Sequence, residues 1–487
     1  MSRHNPFRES KPMKRSSLLL LGGLVLGAAG CTMEPRYRRP AAPVPGQWPA
    51  GVATVQGQTE AAPAAAALAW RDFIADAKLR QVVELALQNN RDLRAAALNV
   101  ELARAMYGIQ RDSLFPSVSA QGSGGKQRAS AELTEPGKAR TSESYSTSLG
   151  ALSWEVDFFG RVRSLNKEAW QKYQATKEAR RSAQTLLVSN VVAAYLNLAA
   201  NRDALALAQS TLRAQEDSYR LVHRQYEAGV ATELDLRQAQ TPLETARASA
   251  AQYTRLLAQA ENALNLLAGT TVPADLLPDG LAQVADFREI AAGLPSDVLL
   301  DRPDVMQAEA TLKAANADLG AARAAFFPRI ALTGTIGSAS RELNGLFDGG
   351  TGTWSFLPSA SMPIFDARTW TAHRGAQVQR KLAVAQYEKA IQSAFRDVAD
   401  ALATRATIGE QLAAQQRLVE ALTETNRLAT ARFEKGVDSY LVCLDAQRSL
   451  FAAQQGLISV RLAALVSRVQ LYAALGGGGI EEPAPRN

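Results

Sequence analysis

Apolar residues recur at alternating steps of three and four along two very long stretches of the chain. The first stretch, from Arg161 to Ala228, contains neither proline nor glycine, and the second, about 367–435, has Gly375 as its only early breaker. Sustained heptads of this kind indicate helices that pack as coiled coils. At 1.5 Å per residue, about 68 helical residues span roughly 100 Å, whereas a mean helix has about three turns. The pattern therefore predicts two very long helices, about 161–228 and about 367–435.

Each long helix ends at a turn of the same kind. Gly229 and Val230 close the first helix, and Gly436 and Val437 close the second. Glycine at such a place permits the left-handed conformation that caps a helix. A helix of about 35 residues returns from each turn, so we predict two long helical hairpins. The predicted return helices are about 232–268 and about 439–475.

Apolar residues occupy every second position in the stretches that precede each long helix. Ile330, Leu332 and Ile336 alternate with polar or small residues. Alternation over about ten residues is typical of a transmembrane β-strand with one apolar and one polar face. The next strand repeats it with Trp354, Phe356, Ala360, Met362 and Ile364, and the pattern is weaker ahead of the first long helix. The predicted strands are about 116–125, 144–156, 329–338 and 353–364, joined by polar loops near 125–142 and 338–352.

These elements occur twice because the chain carries a tandem duplication. Asp92, Phe115 and Pro116 recur 212 positions later as Asp304, Phe327 and Pro328, and Arg161, Gly229 and Gly269 recur 207 positions later as Arg368, Gly436 and Gly476. A tandem duplication outranks the domain count that length alone suggests. We therefore divide the folded part into repeat 1, 70–280, and repeat 2, 281–476, followed by a flexible tail, 477–487.

The N-terminus has the features of an export signal. Lys14 and Arg15 precede an apolar run at 18–26 that is too short to span a bilayer, and small residues lead to Cys31. We assign 1–30 to a signal peptide. Translation of the chain could start at Met1 or at Met13. The position of Cys31 resembles a bacterial lipobox, which implies cleavage before it and lipidation of its thiol. An ordinary signal peptide with an incidental cysteine is the alternative.

Residues 31–69 are rich in proline, alanine and glycine, so we predict a lipid-anchored N-terminal tether. The net charge is +7, but residues 1–30 contribute five basic residues and one acidic residue, which is +4, and leave only +3 for the rest. The excess of basic residues therefore does not indicate binding to nucleic acid. Cys443 is the only other cysteine, so a lipidated Cys31 excludes an intramolecular disulfide.

Four strands are too few to close a membrane barrel. Lipid offers no hydrogen bonds to an open sheet edge, and the smallest single-chain barrels have about eight strands. Several copies of the chain must therefore contribute to one barrel. Two copies give eight strands, and side chains would fill the interior of such a barrel. Three copies give twelve strands and an open lumen. Strand arithmetic permits three copies but does not require them.

The duplicated layout resembles the TolC family of outer membrane efflux proteins, and within it the lipid-anchored NodT type. The segments that carry the resemblance are Arg302–Val305, Ala321–Ile330 and Gly436–Leu450. The fold class it implies is mainly α with a small transmembrane β part: a homotrimer whose twelve-stranded β-barrel continues into a periplasmic α-barrel. It also implies three partners outside the trimer, which are a periplasmic adaptor protein, an inner-membrane proton-driven transporter and outer-membrane lipid.

Catalysis has little support in the sequence. His4 lies in the signal peptide, and His223 and His373 are far apart without cysteine or carboxylate clusters at metal spacing. The chain shows neither a phosphate-binding loop nor a nucleophile elbow. We therefore expect a protein that is not an enzyme, holds neither cofactor nor metal, and conducts passively.

The remaining chemistry suits a gate. Leu441 and Asp445 are four residues apart and share one helix face, with Arg448 three residues further on. By the resemblance, Leu441 and Asp445 match the periplasmic constriction of the family, and Arg448 is a neighbouring partner. An exposed ion pair three residues apart is the plainer alternative. Repeat 1 has Leu234 and Gln238 at the matching places, so we expect the gate to come mainly from repeat 2.

The two turns are candidate docking tips for the adaptor, although helix capping alone would also explain the glycines. They lie at Gly229 and Val230 and at Gly436 and Val437.

The predicted function is the outer-membrane exit duct of a tripartite efflux pump for drugs or other small toxic compounds, which partner proteins open at its periplasmic tip. A duct for type I protein secretion is the main alternative. A stand-alone porin is less consistent with the long helices, and a non-conducting helical scaffold or adhesin is less consistent with the strand pairs.

Overall fold

A computed structural model describes residues 32–46, 48, 68–290 and 296–477. The signal peptide, Cys31 and nearly all of the predicted tail lie outside the described residues. Within them the chain forms two compact units. Unit 1 combines 32–40, 101–174 and 310–385, and unit 2 combines the described parts of 41–100, 175–309 and 386–487. Each unit thus takes matching segments from both repeats.

Eight helices and four strands account for the regular structure that we label in the described part of the chain. The helices are α1 (Trp70–Phe73), α2 (Ala77–Asn89), α3 (Arg91–Asp112), α4 (Arg161–Glu227), α5 (Glu233–Ala268), α6 (Pro303–Ala324), α7 (Ala367–Glu434) and α8 (Tyr440–Ala474). The strands are β1 (Val118–Arg128), β2 (Thr141–Val156), β3 (Arg329–Ser340) and β4 (Gly352–Ser361). Helices α4 and α7 have 67 and 68 residues. The predicted fold class, mainly α with a small β part, is confirmed.

The strands form one antiparallel sheet in the order β1-β2-β3-β4. Leu149 pairs with Ile336, which pairs with Trp354, so these three apolar side chains form a row across one face. Ile336 and Trp354 are 66% and 80% exposed. Serine, threonine and glycine occupy most of the opposite face, for example where Gly150 pairs with Thr335 and Thr335 pairs with Ser355. A sheet that exposes rows of apolar side chains on one face and lines the other with small polar groups suits a membrane barrel.

A bulge explains why the strand pattern of repeat 1 is weak. The pairs Ala151 with Gly334 and Trp154 with Leu332 enclose one more residue on β2 than on β3. Ser153, inside the bulge, has a φ of 52°. The extra residue shifts the alternation by one position, so Trp154 lies on the same face as Ala151 although three positions separate them. The strict alternation of apolar and polar residues along β2 is therefore broken at this point.

Strand β4 is shorter than the alternation indicates. It ends at Ser361, so Met362 and Ile364, which the alternation places in the strand, lie beyond it. Ser361 pairs with Arg329, which is the first residue of β3, so the residues after Ser361 have no partner in that strand. The alternation of side chains along β4 carries no information about where its partner strand begins.

In unit 2, the start of repeat 2 is tied to its last helix. The buried Arg302 guanidinium donates to both carboxylate oxygens of Asp304, at 3.0 and 2.7 Å, and to the carbonyl of Ala474 at 2.7 Å. Because each buried donor needs a partner, this arrangement fixes the chain before α6 against the end of α8. Phe73 stacks on Tyr472 in the same unit, with ring centroids 4.1 Å apart.

The part of the predicted tether that the structure describes is packed, not free. In unit 1, the Glu34 carboxylate accepts hydrogen bonds from Lys167 Nζ at 2.8 and 2.9 Å and from Asn316 Nδ2 at 3.3 Å. Asn316 Nδ2 also donates to the Pro35 carbonyl at 2.8 Å. Gly320 allows the close approach, since a Cβ there would lie 2.8 Å from Glu34 Cα. The segment just after Cys31 is therefore held on α4 and α6 by specific polar contacts.

We predict that Glu34→Ala releases this segment. Loss of charge-assisted hydrogen bonds worth about 1.5 kcal/mol would raise the opened population about tenfold. Trypsin should then cut after Arg36 about tenfold faster under native conditions. Glu135→Ala is the matched control because it removes an exposed ion pair with Lys138 elsewhere in unit 1. Equal cleavage of Glu34→Ala and the unsubstituted protein would contradict the assignment.

Candidate functional site

The two hairpin turns share one backbone design. Gly229 and Gly436 have φ angles of 73° and 71°. The Val230 amide donates to the carbonyl of Gln225 at 2.8 Å, and the Val437 amide donates to that of Arg432 at 3.0 Å. These six-residue closures satisfy carbonyls at the helix end and require a left-handed residue. Both turns consequently present their valine, which is 78% exposed in the first turn and 60% exposed in the second.

The side chains that support the two turns differ. After the first turn, Thr232 and Asp235 form a capping box, in which the Thr232 hydroxyl and amide donate to Asp235 and lower the pKa of its carboxyl. After the second turn, Ser439 makes no side-chain cap. Instead Arg432 Nη2 donates to Asp438 at 3.0 Å across the turn, and this guanidinium lowers the pKa of the Asp438 carboxyl. Repeat 2 thus closes its tip with a charge pair.

Behind the tips, α4, α5 and α8 share a small core within unit 2. Its buried members are Val222, Ala239, Tyr440 and Cys443. The Tyr440 hydroxyl lies 2.7 Å from Ser218 Oγ, and burial raises the pKa of the Tyr440 phenol. One turn before Ser218 on α4 and two turns after Tyr440 on α8, Gln215 Nε2 donates to Gln447 Oε1 at 2.9 Å. These two polar contacts join α8, which carries the candidate gate, to α4.

The structure brings the three candidate gate residues together. Leu441, Asp445 and Arg448 line one cleft of about 310 Å³ in unit 2, and Gln238 from repeat 1 lines it as well. Leu441 is exposed. Arg448 Nη2 donates to Asp445 Oδ1 at 3.0 Å, and both side chains are exposed. In one subunit this contact has the geometry of a surface ion pair, so a gating role for these residues depends on other copies.

Sequence reasoning missed the contacts that hold α8. Gln215 interrupts the apolar heptad seam of α4, and a buried polar residue in such a seam indicates a polar partner. That signal was present, but the partner Gln447 lies 232 positions away. Tyr440 and Ser218 gave no comparable signal, because tyrosine and serine are ordinary residues at a helix start and on a helix surface.

The histidines occupy separate surroundings. His223 Nδ1 lies 3.5 Å from Glu227 Oε1 on the same helix. His373 stands edge-on to Phe326 with ring centroids 5.6 Å apart. Among the described residues, no group of three or more histidine, cysteine or acidic side chains could hold a metal ion.

A small sheet with an exposed apolar face, joined to two long helical hairpins, defines a channel-forming protein of the outer membrane. The chain belongs to the outer membrane efflux protein family, whose model matches residues 82–270 and 294–477, one match in each repeat. The resemblance to the TolC family is thereby confirmed. The chain is an outer-membrane component of efflux, and it serves as an exit duct.

Named relatives cover nearly the whole chain. It is 48% identical over 472 residues to the antibiotic efflux pump outer membrane protein ArpC of Pseudomonas putida, covering 97% of each chain. The same values relate it to the toluene efflux pump outer membrane protein TtgC from a strain of the same species. Among solved structures, the open state of the Neisseria gonorrhoeae MtrE outer membrane channel matches with a TM-score of 0.82 at 38% identity, covering 92% of this chain and 98% of that one.

We predict that Tyr440 and Ser218 stabilise the tip as a pair. Tyr440→Phe and Ser218→Ala should each cost about 1 kcal/mol, because each leaves one partner without its hydrogen bond. The double variant should lose less than the sum, since neither polar group remains. Thermal unfolding of the detergent-purified protein measures all three, with the exposed Ser210→Ala on α4 as control. Strictly additive losses would show that the two hydroxyls are not coupled.

Proposed function

We propose that three copies of this chain close one channel. The observation that carries the proposal is the sheet itself: within the described residues, β1 and β4 each pair on one side only, while one face is apolar and exposed. A bilayer would leave the two edges without hydrogen bonds. Because β1 and β4 run in opposite directions, β4 of one copy can pair antiparallel with β1 of the next. Three copies supply twelve strands and a lumen.

Helix α8 supports assembly independently of the sheet. It contains an 18-residue stretch apolar enough to cross a membrane by composition, yet only 6% of that stretch is buried within the subunit. The comparable stretch of α4 is 50% buried. Apolar surface of this extent is unfavourable in water. Packing of α8 against helices of neighbouring copies would cover it.

The proposed cargo is drugs or other small toxic compounds, which pass from the periplasm to the exterior. The names of ArpC and TtgC, which refer to antibiotics and toluene, support small molecules over the protein cargo of type I secretion. A periplasmic adaptor and an inner-membrane proton-driven transporter would supply the cargo and the energy. Lipidation of Cys31 would add an anchor in the outer membrane.

Gating would occur where the repeat 2 tips converge. In a trimer, Leu441 and Asp445 each form a ring of three. An apolar ring resists wetting, and a carboxylate ring attracts cations and repels anions. Arg448, already hydrogen-bonded to Asp445, would set how much of that charge faces the lumen. The adaptor would dock on the exposed turns at Gly229 and Val230 and at Gly436 and Val437, and would move α8.

The gate predicts a specific change in conductance. Leu441→Ala combined with Asp445→Ala should raise single-channel conductance in planar bilayers several-fold, because both rings are removed. The matched control is Leu234→Ala, at the place in repeat 1 that is equivalent to Leu441, and it should have a much smaller effect. Unchanged conductance in the repeat 2 variant would reject the gate.

Edge pairing predicts covalent trimers. In a Cys443→Ser background, a cysteine at Ser355 in β4 should form a disulfide with a cysteine at Ser119, Gln121 or Ser123 in β1 of the next copy. One of the three combinations should dominate, because disulfides require Cα atoms about 4.4–6.8 Å apart. Non-reducing electrophoresis of outer membranes should show a ladder that ends at three copies.

The control pairs Ser355→Cys with Ser148→Cys in β2, an interior strand. This pair should give no ladder. A ladder that stops at two copies, or no intermolecular product from any β1 combination, would contradict the proposed trimer.

A further inference from the structure

A single carboxylate at the end of β2 holds two guanidinium groups. Glu155 accepts hydrogen bonds from Arg161 Nε at 2.8 Å and Nη2 at 2.6 Å. It also accepts from Arg329 Nε at 3.1 Å and Nη2 at 2.7 Å. Arg161 is the first residue of α4 and Arg329 is the first residue of β3. All three residues belong to unit 1.

The strand register places this cluster on the polar face of the sheet. Glu155 pairs with Ala331, and its neighbour Trp154 pairs with Leu332 in the apolar rows. Since successive side chains of a strand point to opposite faces, Glu155 and Arg329 lie opposite Trp154. The Glu155 side chain is only 14% exposed, whereas that of Arg329 is 57% exposed. The arginine is therefore presented on that face, with the carboxylate behind it.

The cluster carries an uneven charge. Two guanidinium groups and one carboxylate give +1 per subunit, and the adjacent Arg163 and Asp157 form an ion pair at 3.1 Å that adds no net charge. If the apolar face meets lipid, the polar face lines the lumen. In a barrel of several copies the cluster then recurs around the wall. Fixed charge on a pore wall acts on permeating ions within a Debye length, about 8–10 Å at ordinary ionic strength.

We propose that Glu155 is a specificity-determining residue of the duct: it offsets half of the positive charge of Arg161 and Arg329 and so sets the preference of the lumen between anions and cations. The proposal rests on the proposed function, because it requires a conducting barrel. It assigns to this end of the sheet a selectivity element separate from the candidate gate at Leu441 and Asp445.

The test is the reversal potential of purified channels in planar bilayers under a KCl gradient at low ionic strength. Glu155→Gln raises the cluster from +1 to +2 per subunit and should shift the potential toward anion selectivity. Arg329→Gln lowers it to zero and should shift the potential toward cation selectivity. The double variant returns to +1 and should resemble the unsubstituted channel. The measurements are repeated in the Leu441→Ala, Asp445→Ala background, where the gate contributes least.

Glu143→Gln is the matched control. Glu143 lies in the same strand and is paired with Lys126, but the register places it on the face that carries Leu149. Neutralising it changes the charge by the same amount on the other side of the wall, so the reversal potential should not move.

The outcomes separate the two proposals. Opposite shifts that cancel in the double variant support the assignment, and a purely structural role would not produce them. Shifts of the same sign, or no shift in conducting channels, would overturn it while leaving the duct intact. If Glu155→Gln did not assemble, Arg329→Gln alone would still have to increase cation selectivity. The absence of channels from the unsubstituted protein would reject the proposed function itself.

Discussion

The hydrogen-bonding requirement of backbone groups in lipid is the constraint on which the rest of this molecule depends. Four strands with two free edges cannot satisfy it, whatever their side chains. Lengthening the strands would not help, because the unpaired groups run along the edges. Only more strands can close the sheet, and this chain has no others in its described part. The apolar rows on one face and the need for several copies of the chain to close the sheet therefore have the same physical origin.

The duplication gives two similar frameworks with different side chains. Both turns use a left-handed glycine followed by an exposed valine. A partner that binds the backbone and the valine would therefore find two equivalent surfaces on each chain. The supporting chemistry differs, with a capping box after Gly229 and the Arg432–Asp438 pair around Gly436. Both repeats keep the left-handed glycine that the turn geometry requires, and they diverge in the side chains that support the turn, including the capping box.

Much of the fold could be predicted because it depends on local periods. Heptads and the glycine turns mark the long hairpins of α4 with α5 and α7 with α8, since a helix period persists over many residues. The bulge at Ser153 and the contacts of Glu34 could not be predicted. A bulge changes the phase of the side-chain pattern, and the Glu34 site combines α4 and α6 from distant parts of the chain. At the candidate gate, helical spacing put Leu441 and Asp445 on one face, but nothing local indicated Ser218 opposite Tyr440.

Charge is sparse on the polar face of the sheet, which would line the lumen of a duct, and it is paired at the candidate gate. The polar face of the sheet consists mainly of serine, threonine and glycine, and its partly buried carboxylate, Glu155, is saturated by two arginines. Asp445 likewise has Arg448 within hydrogen-bond distance. A strongly charged wall would bind cargo of the opposite sign and slow its release, because conduction requires weak binding along the path. Paired charges leave a small residual field, which permits selectivity without tight binding. This balance suits a duct that discriminates by charge sign only weakly and leaves the recognition of individual small molecules to an energised partner.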